Sequence, residues 1–282
     1  KCIYYMRFML TNIPPYFLSR GLDHFSPSQG VMPIDQYVYK YLKCDQTKRR
    51  KFKIASPMQC GNIVGDTVAA RLTGRVDPLI FYDNFKEWND VRDEQQWNYE
   101  KEIIKATVKN AMRGLEILGI KPGDKMVFEN YVNYAHDDLV LPIIGRTDIQ
   151  TPDKIIELKT TWSRRYKDKK DGSPSFGIKP LPQYPMTNHL MQSSFYHFAT
   201  KKPTWILHVN GKEEDGMMIH EIATHKYKEA FHNLISMLKA KQEIAKFENP
   251  EKLIQPDFTT IGWKIGDTYL NEAKEIYGYK DA

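Results

Sequence analysis

The stretch Gly145-Arg146-Thr147-Asp148-Ile149-Gln150-Thr151-Pro152-Asp153-Lys154-Ile155-Ile156-Glu157-Leu158-Lys159-Thr160 decides the fold. Apolar and polar residues alternate on both sides of Thr151-Pro152-Asp153-Lys154, as in two strands joined by a tight turn. Proline pre-sets the first central dihedral of such a turn, and aspartate tolerates the second. A hairpin symmetric about the Pro152–Asp153 bond opposes residues whose numbers sum to 305, so Ile149 meets Ile156 and Asp148 meets Glu157. Directly opposed Cβ atoms in an antiparallel pair lie ~4.5–5.5 Å apart. Period two then puts Ile156 and Leu158 on an apolar face, and Glu157 and Lys159 on the other.

Two carboxylates facing each other repel unless a cation sits between them. Mg²⁺ suits that place, because it takes a few carboxylate oxygens and keeps waters that phosphate oxygens can replace. A lysine beside such an ion can orient or help deprotonate an attacking water, while the metal offsets charge on a transferring phosphoryl group. Asp, Glu and Lys also offset one another on ordinary solvated strand faces, so the triad needs support from other elements.

Working outward, residues 187–200 read as a helix with His189, Gln192 and Tyr196 at i, i+3 and i+7, hence on one face. Leu190, Ser194, Phe195 and Phe198 fall largely on another face, suited to a core. Strands are expected at 125–132, 138–149, 154–160, 204–210 and 217–223, and helices at 59–73, 94–118 and 226–247. In the last of these Tyr227, Phe231, Leu234 and Leu238 form one stripe. Ser26-Pro27-Ser28-Gln29 can cap a short helix ahead of Ile34–Leu42. Residues 1–33 read as an irregular surface arm and 34–282 as a single domain. The fold class is α/β, a central mixed β-sheet flanked by helices.

Gly145-x-x-Asp148, Glu157-x-Lys159 and Gln192-x-x-x-Tyr196, in this order, resemble the PD-(D/E)xK nucleases of the RecB-type exonuclease branch. The strand Trp205–Val209, the early Ser26–Gln29 segment and the helix from Gly61 fit the same pattern, so the resemblance covers about residues 26–245. It implies a restriction-endonuclease-like core, Mg²⁺ or Mn²⁺ as the metal, and hydrolysis of DNA phosphodiesters on single strands or open ends. By motif, Asp148, Glu157 and the Leu158 carbonyl would bind metal, and Lys159 would position the water. Gln192 and Tyr196 would support the site and contact the nucleic-acid backbone. Many relatives place a metal-binding histidine where this chain has Gly65. Asp66 is the substitute the sequence offers, and Glu129 a further acid on the preceding strand. An endonuclease on the same scaffold and a DNA-binding module with a degenerate site are the alternatives. Relatives with an iron–sulfur cluster use late cysteines, and here none follows Cys60, so no cluster is expected.

Residues 161–185 read as a basic loop leaving the end of the proposed site. Between 160 and 180, Arg164, Arg165, Lys167, Lys169, Lys170 and Lys179 stand against Asp168 and Asp171, a local excess of four positive charges. Trp162, Tyr166 and Phe176 interleave with them, as in grooves that pair phosphates and stack bases. Trp162, Arg164, Arg165, Lys167 and His189 are therefore the expected DNA contacts, and Lys48–Lys53 is a weaker basic candidate. Over 282 residues the formal charge is +6, a mild bias toward an anionic partner. No stretch approaches the ~18 apolar residues of a membrane span. The start, Cys2-Ile3-Tyr4-Tyr5-Met6 followed by Arg7, is too short and interrupted for a secretory signal. Three widely spaced cysteines suit neither a disulfide framework nor a zinc site, and point to a reducing compartment. The implied setting is the cytoplasm of a bacterium or a virus-infected host cell, with mitochondria as the alternative.

Overall fold

The computed structural model describes residues 13–279, except 51, 53–55, 78–90 and 264. Its centre is a five-stranded mixed sheet. The strands are β1 (Val127–Tyr134), β2 (Ile143–Gln150), β3 (Ile155–Thr160), β6 (Thr204–Val209) and β7 (Met217–Glu221), in spatial order β1-β2-β3-β6-β7. Only β3 and β6 run parallel; the other neighbours are antiparallel. The connection between these two carries a small hairpin, β4 (Ser163–Arg165) with β5 (Phe176–Ile178), and then a helix. Parallel neighbours require such a crossover.

Helices cover both faces. In chain order the main ones are α1 (Pro27–Val31), α2 (Ser56–Thr73), α3 (Val91–Ile117), α4 (Thr187–Thr200), α5 (Thr224–Ala245) and α6 (Asp267–Ile276). One core lies between the sheet and α4 and α5, and holds Ile143, Ile155, Phe195, Leu234 and Leu238. The other, against α2 and α3, holds Ile149, Ile156, Leu207, Val64 and Val108. Neighbours Ile155 and Ile156 thus feed opposite cores, as period two requires.

The capping box forms as read: Ser26 Oγ accepts from the Gln29 N–H at 3.2 Å, and Gln29 Oε1 accepts from the Ser26 N–H at 3.0 Å. Residues 13–33, however, are not a surface arm. Phe17 and Phe25 are fully buried in the α4/α5 core. Phe25 donates its N–H to the Pro142 carbonyl and accepts from the Ile144 N–H, both at 2.8 Å. Its aromatic side chains were the missing cue, since apolar area removed from water outweighs an irregular backbone. Of the earlier part of the arm, residues 1–12 lie outside the described residues. A third cluster, around Tyr39, Trp263 and Ile265, packs α6 and its approach onto the segment after α1. In the 48–53 run, Lys48 bonds Glu272, and Arg49 bonds the Cys44 carbonyl at 2.7 Å. Lys51 and Lys53 lie outside the described residues. No helix among the described residues is long and apolar enough to cross a membrane.

Candidate active site

The register read from the turn is present at Ile149↔Ile156 and Gln150↔Ile155. One position further the ladder changes character. Asp148 Oδ2 accepts the Leu158 N–H at 2.8 Å, so a side chain takes the place of a strand-to-strand bond. Asp148 and Glu157, expected to face each other, are thus not a ladder pair, although the Asp148 charge and backbone N–H both bear on the Glu157 carboxyl. The cause lies on the next strand. Phe128↔Ile149 and Asn130↔Thr147 leave Glu129 opposite Asp148, and Glu129 has φ +50°. A non-glycine residue rarely adopts that region inside a strand. Across this kink the side-chain alternation inverts. Phe128 and Ile149 pack toward α2 and α3, whereas Val132, Tyr134 and Ile143 pack toward α4 and α5.

Glu157 and Lys159 point to the α4 side, as alternation demands. Glu157 is 1% exposed. Its Oε1 accepts from Lys159 Nζ at 2.6 Å, and the same ammonium donates to Gln192 Oε1 at 3.0 Å. Gln192 Nε2 donates to Tyr196 Oη at 2.8 Å, and Tyr196 donates to the Arg146 carbonyl at 2.7 Å. One chain of bonds therefore runs from the β3 acid through α4 back to β2. Gly145 permits the closure. A Cβ there would stand 2.5 Å from Phe195 and 3.0 Å from Tyr196, so any other residue would hold α4 away from β2.

Burial governs the charges. The Glu157 carboxyl is pushed up to about 8, by desolvation first and the neighbouring Asp148 second, with Lys159 pulling it back. Asp148 is also raised by burial, against the pull of Lys159 and the Leu158 N–H. Desolvation works against the Lys159 ammonium, but Glu157 and Asp148 outweigh it and hold it charged. Glu157 Oε2 is buried with no hydrogen-bond partner among the described residues. Two desolvated acids and an unused oxygen are the donor chemistry of a hard cation, so Asp148, Glu157 and the adjoining Leu158 carbonyl are the groups able to hold one. Among the described residues no three His, Cys, Asp or Glu side chains form a preassembled cluster.

A cleft of about 610 Å³ opens over Asp148, Leu158 and Lys159 on the α2 side, and Asp66, Glu129 and Arg146 stand in its wall. The Asp66 carboxyl is raised by burial and by Glu129. Glu129 is ion-paired to Arg146 at 3.1 Å. Gly61 and Gly65 line the same cleft, and nothing lies within 4 Å of where a Gly65 Cβ would be. The position that the motif resemblance matches to a histidine is thus open space here.

The expected nucleic-acid contacts divide. Arg164, Arg165 and Lys167 are exposed on or beside β4, with Arg164 over the Tyr166 ring at 5.6 Å and Arg165 paired to Asp168 at 2.9 Å. The basic loop is therefore a short hairpin rather than unstructured chain. Trp162 is not a stacking platform: it is 5% exposed, and its indole N–H donates to Thr160 Oγ1 at 2.9 Å in the cleft floor. Tyr196, 1% exposed, is likewise a support for Gln192 rather than a contact to the nucleic-acid backbone. His189 is half-buried at the start of α4, with its Nδ1 3.1 Å from His208 Nε2.

Sequence reasoning missed Arg146, His208 and Glu100. Glu100 of α3 is fully buried and accepts from Ser56 Oγ at 2.7 Å, Gln96 Nε2 at 2.7 Å, and Ser163 Oγ and N at 2.7 and 3.2 Å. It pins the base of the basic hairpin to α2 and α3. Its only signal is an acid on the helix face that otherwise carries Trp97, Ile104 and Val108.

No protein-family model and no curated protein matches the sequence. Solved structures do match. A protein from Eubacterium rectale assigned as an exonuclease aligns over 82% of this chain and 85% of its own, at 14% identity and a TM-score of 0.51. An alkaline exonuclease from Laribacter hongkongensis aligns over 82% and 93%, at 10% identity and a TM-score of 0.35. The first likeness establishes a shared fold, a mixed five-stranded sheet flanked by helices.

Proposed function

We propose that this chain is a metal-dependent nuclease of the PD-(D/E)xK type that hydrolyses DNA phosphodiesters, acting as an exonuclease on single strands or open ends. The observation that carries the reading is the unpartnered, buried Glu157 Oε2 beside Asp148, with Lys159 held at 2.6 Å on the other oxygen of the same carboxylate. The order of the Gly145/Asp148, Glu157/Lys159 and Gln192/Tyr196 motifs supports it, as does the assigned activity of the Eubacterium rectale protein that shares the fold.

Asp148 and Glu157, with the Leu158 carbonyl, would hold Mg²⁺ or Mn²⁺, and Asp66 and Glu129 would extend the acidic wall toward the incoming strand. The bound ion supplies neutralisation of phosphoryl charge and acidification of water. Lys159 has three N–H donors, of which Glu157 and Gln192 engage two. The third is free to orient a water or a non-bridging phosphate oxygen. Gln192 is held in its amide orientation by Tyr196, and so the ammonium is aimed rather than merely present. Arg164, Arg165 and Lys167 follow closely on Trp162, which lines the cleft, and would track the phosphate backbone without reading sequence. Their contribution would fall as salt rises.

The test is digestion of single- and double-stranded DNA labelled at either end, with Mg²⁺, Mn²⁺ or chelator. Release of label with metal, none with chelator, and none from Asp148→Ala or Lys159→Ala is the expected result. Undiminished digestion by those variants would remove the proposal. A covalently closed circle left intact separates exonuclease from endonuclease.

A further inference from the structure

Three histidines stand behind Lys159 on the α4 side of the sheet: His189 on α4, His208 on β6 and His220 on β7. His208 is level with Lys159 across β3–β6, and with Met218 across β6–β7. The His189 and His208 rings lie 5.2 Å apart, and those of His208 and His220 lie 5.1 Å apart, edge to face.

Their protons can be placed by counting partners. Burial, first, keeps His208 and His189 neutral, at about 3 and about 4, and the Lys159 charge acts in the same direction. A neutral imidazole has one N–H donor and one bare nitrogen. His220 donates to the Pro182 carbonyl, and its Nε2 is buried and unpartnered, so its proton is on Nδ1. His208 Nδ1 is also buried without a partner. If the His208 proton were there, an N–H would be buried with no acceptor, at a cost of about 1–3 kcal/mol, and Nε2 would have to accept from His189. With the proton on Nε2, His208 donates to His189 Nδ1 over 3.1 Å and only a lone pair goes unused. The His189 proton is then on Nε2, a nitrogen with no partner among the described residues.

We infer that His208 is a positioning residue: it fixes His189 as the Nε2–H tautomer, one helical turn before Gln192, so that α4 offers a neutral hydrogen-bond donor to a phosphate oxygen of the bound strand. The phosphate contact rests on the nuclease reading above; the tautomer assignment does not. A neutral donor grips a phosphate without adding a charge beside Lys159, whose ammonium a protonated imidazole would repel.

Two measurements on the full chain test this. Long-range proton–nitrogen correlation of the ¹⁵N-labelled protein at neutral pH should show both His208 and His189 protonated at Nε2, and His208→Leu should release His189 into a mixture of tautomers. His189 protonated at Nδ1 in the wild type would overturn the inference. Affinity for a short single-stranded oligonucleotide in chelator should fall about tenfold in His189→Ala and in His208→Leu alike, with no further loss in the double variant. His208→Gln, whose amide N–H can replace the donor, should recover most of it. Unchanged affinity in His189→Ala overturns the phosphate contact, whereas no oligonucleotide binding by the wild type would instead count against the nuclease reading itself.

Discussion

Two acid–cation pairs sit on the same sheet and differ mainly in their contact with water. Glu129 and Arg146 bridge β1 and β2 at 3.1 Å with about half of each side chain exposed (57% and 51%). Glu157 and Lys159 lie two residues apart on β3 at 2.6 Å, with 1% and 23% exposed. In the first pair water screens both partners, and such pairs contribute ~0–1 kcal/mol. In the second, removing Lys159 would leave the buried Glu157 carboxyl without its cation. Proximity is therefore a poor guide to what these pairs do. The buried one is costly to form, and with Lys159 on Oε1 it leaves Oε2 of Glu157 for a cation.

The largest expected effect comes from breaking the buried pair. Lys159→Met should destabilise the metal-free protein by about 3 kcal/mol in urea melts at pH 9. At pH 5, where Glu157 is protonated, the loss should shrink markedly. An equal loss at both values would show that Lys159 acts through packing alone.

Glu157→Gln should act in the opposite direction. The folded carboxyl titrates near 8 against an ordinary value of 4.5, so between these values the folded state holds a proton that the unfolded chain has released. That stabilising contribution is complete below the unfolded value and is lost as pH rises through 8. The variant should match the wild type near pH 4 and exceed it at pH 9 by about 2 kcal/mol without metal. Wild-type stability that rises between pH 5 and 9 through this residue would contradict the assignment.

Tyr196→Phe removes the bond to the Arg146 carbonyl and the acceptor for Gln192. A loss of about 1 kcal/mol is expected, with slower turnover and little change in DNA affinity. A drop confined to affinity would return Tyr196 to the role of a nucleic-acid contact. Smallest of all, Glu129→Gln should change stability by less than about 0.5 kcal/mol. A change of several kcal/mol would mean that the left-handed kink at this residue depends on its charge.

The parts of this site that local chemistry sets were open to reading from the chain. Pro152 and Asp153 fix the hairpin register, and the spacing of Gln192 and Tyr196 fixes which face of α4 they share. The helix at 187–200 and strands near 204–210 and 217–223 follow from the same periodicities. What could not be read depends on contacts distant in sequence. The kink at Glu129 inverts alternation in two strands at once, and no residue type there announces it. Trp162 looks like a surface aromatic until α2 and α3 close over it, and Phe25 until the sheet and α4 do. Glu100 is one acid among many on a long polar helix, and only the fold brings Ser56 and Ser163 to it. The cluster around Trp263 joins a C-terminal segment to residues more than two hundred positions earlier.

The central claim, that Asp148 and Glu157 together make one cation site, is tested most directly by titrating Mn²⁺ into metal-free protein by calorimetry at pH 6 and pH 8. Binding should be tighter at pH 8, because a proton must leave Glu157 as the ion enters, and should be lost in both Asp148→Asn and Glu157→Gln. Binding of equal strength at the two pH values, or retained by either variant, would contradict it.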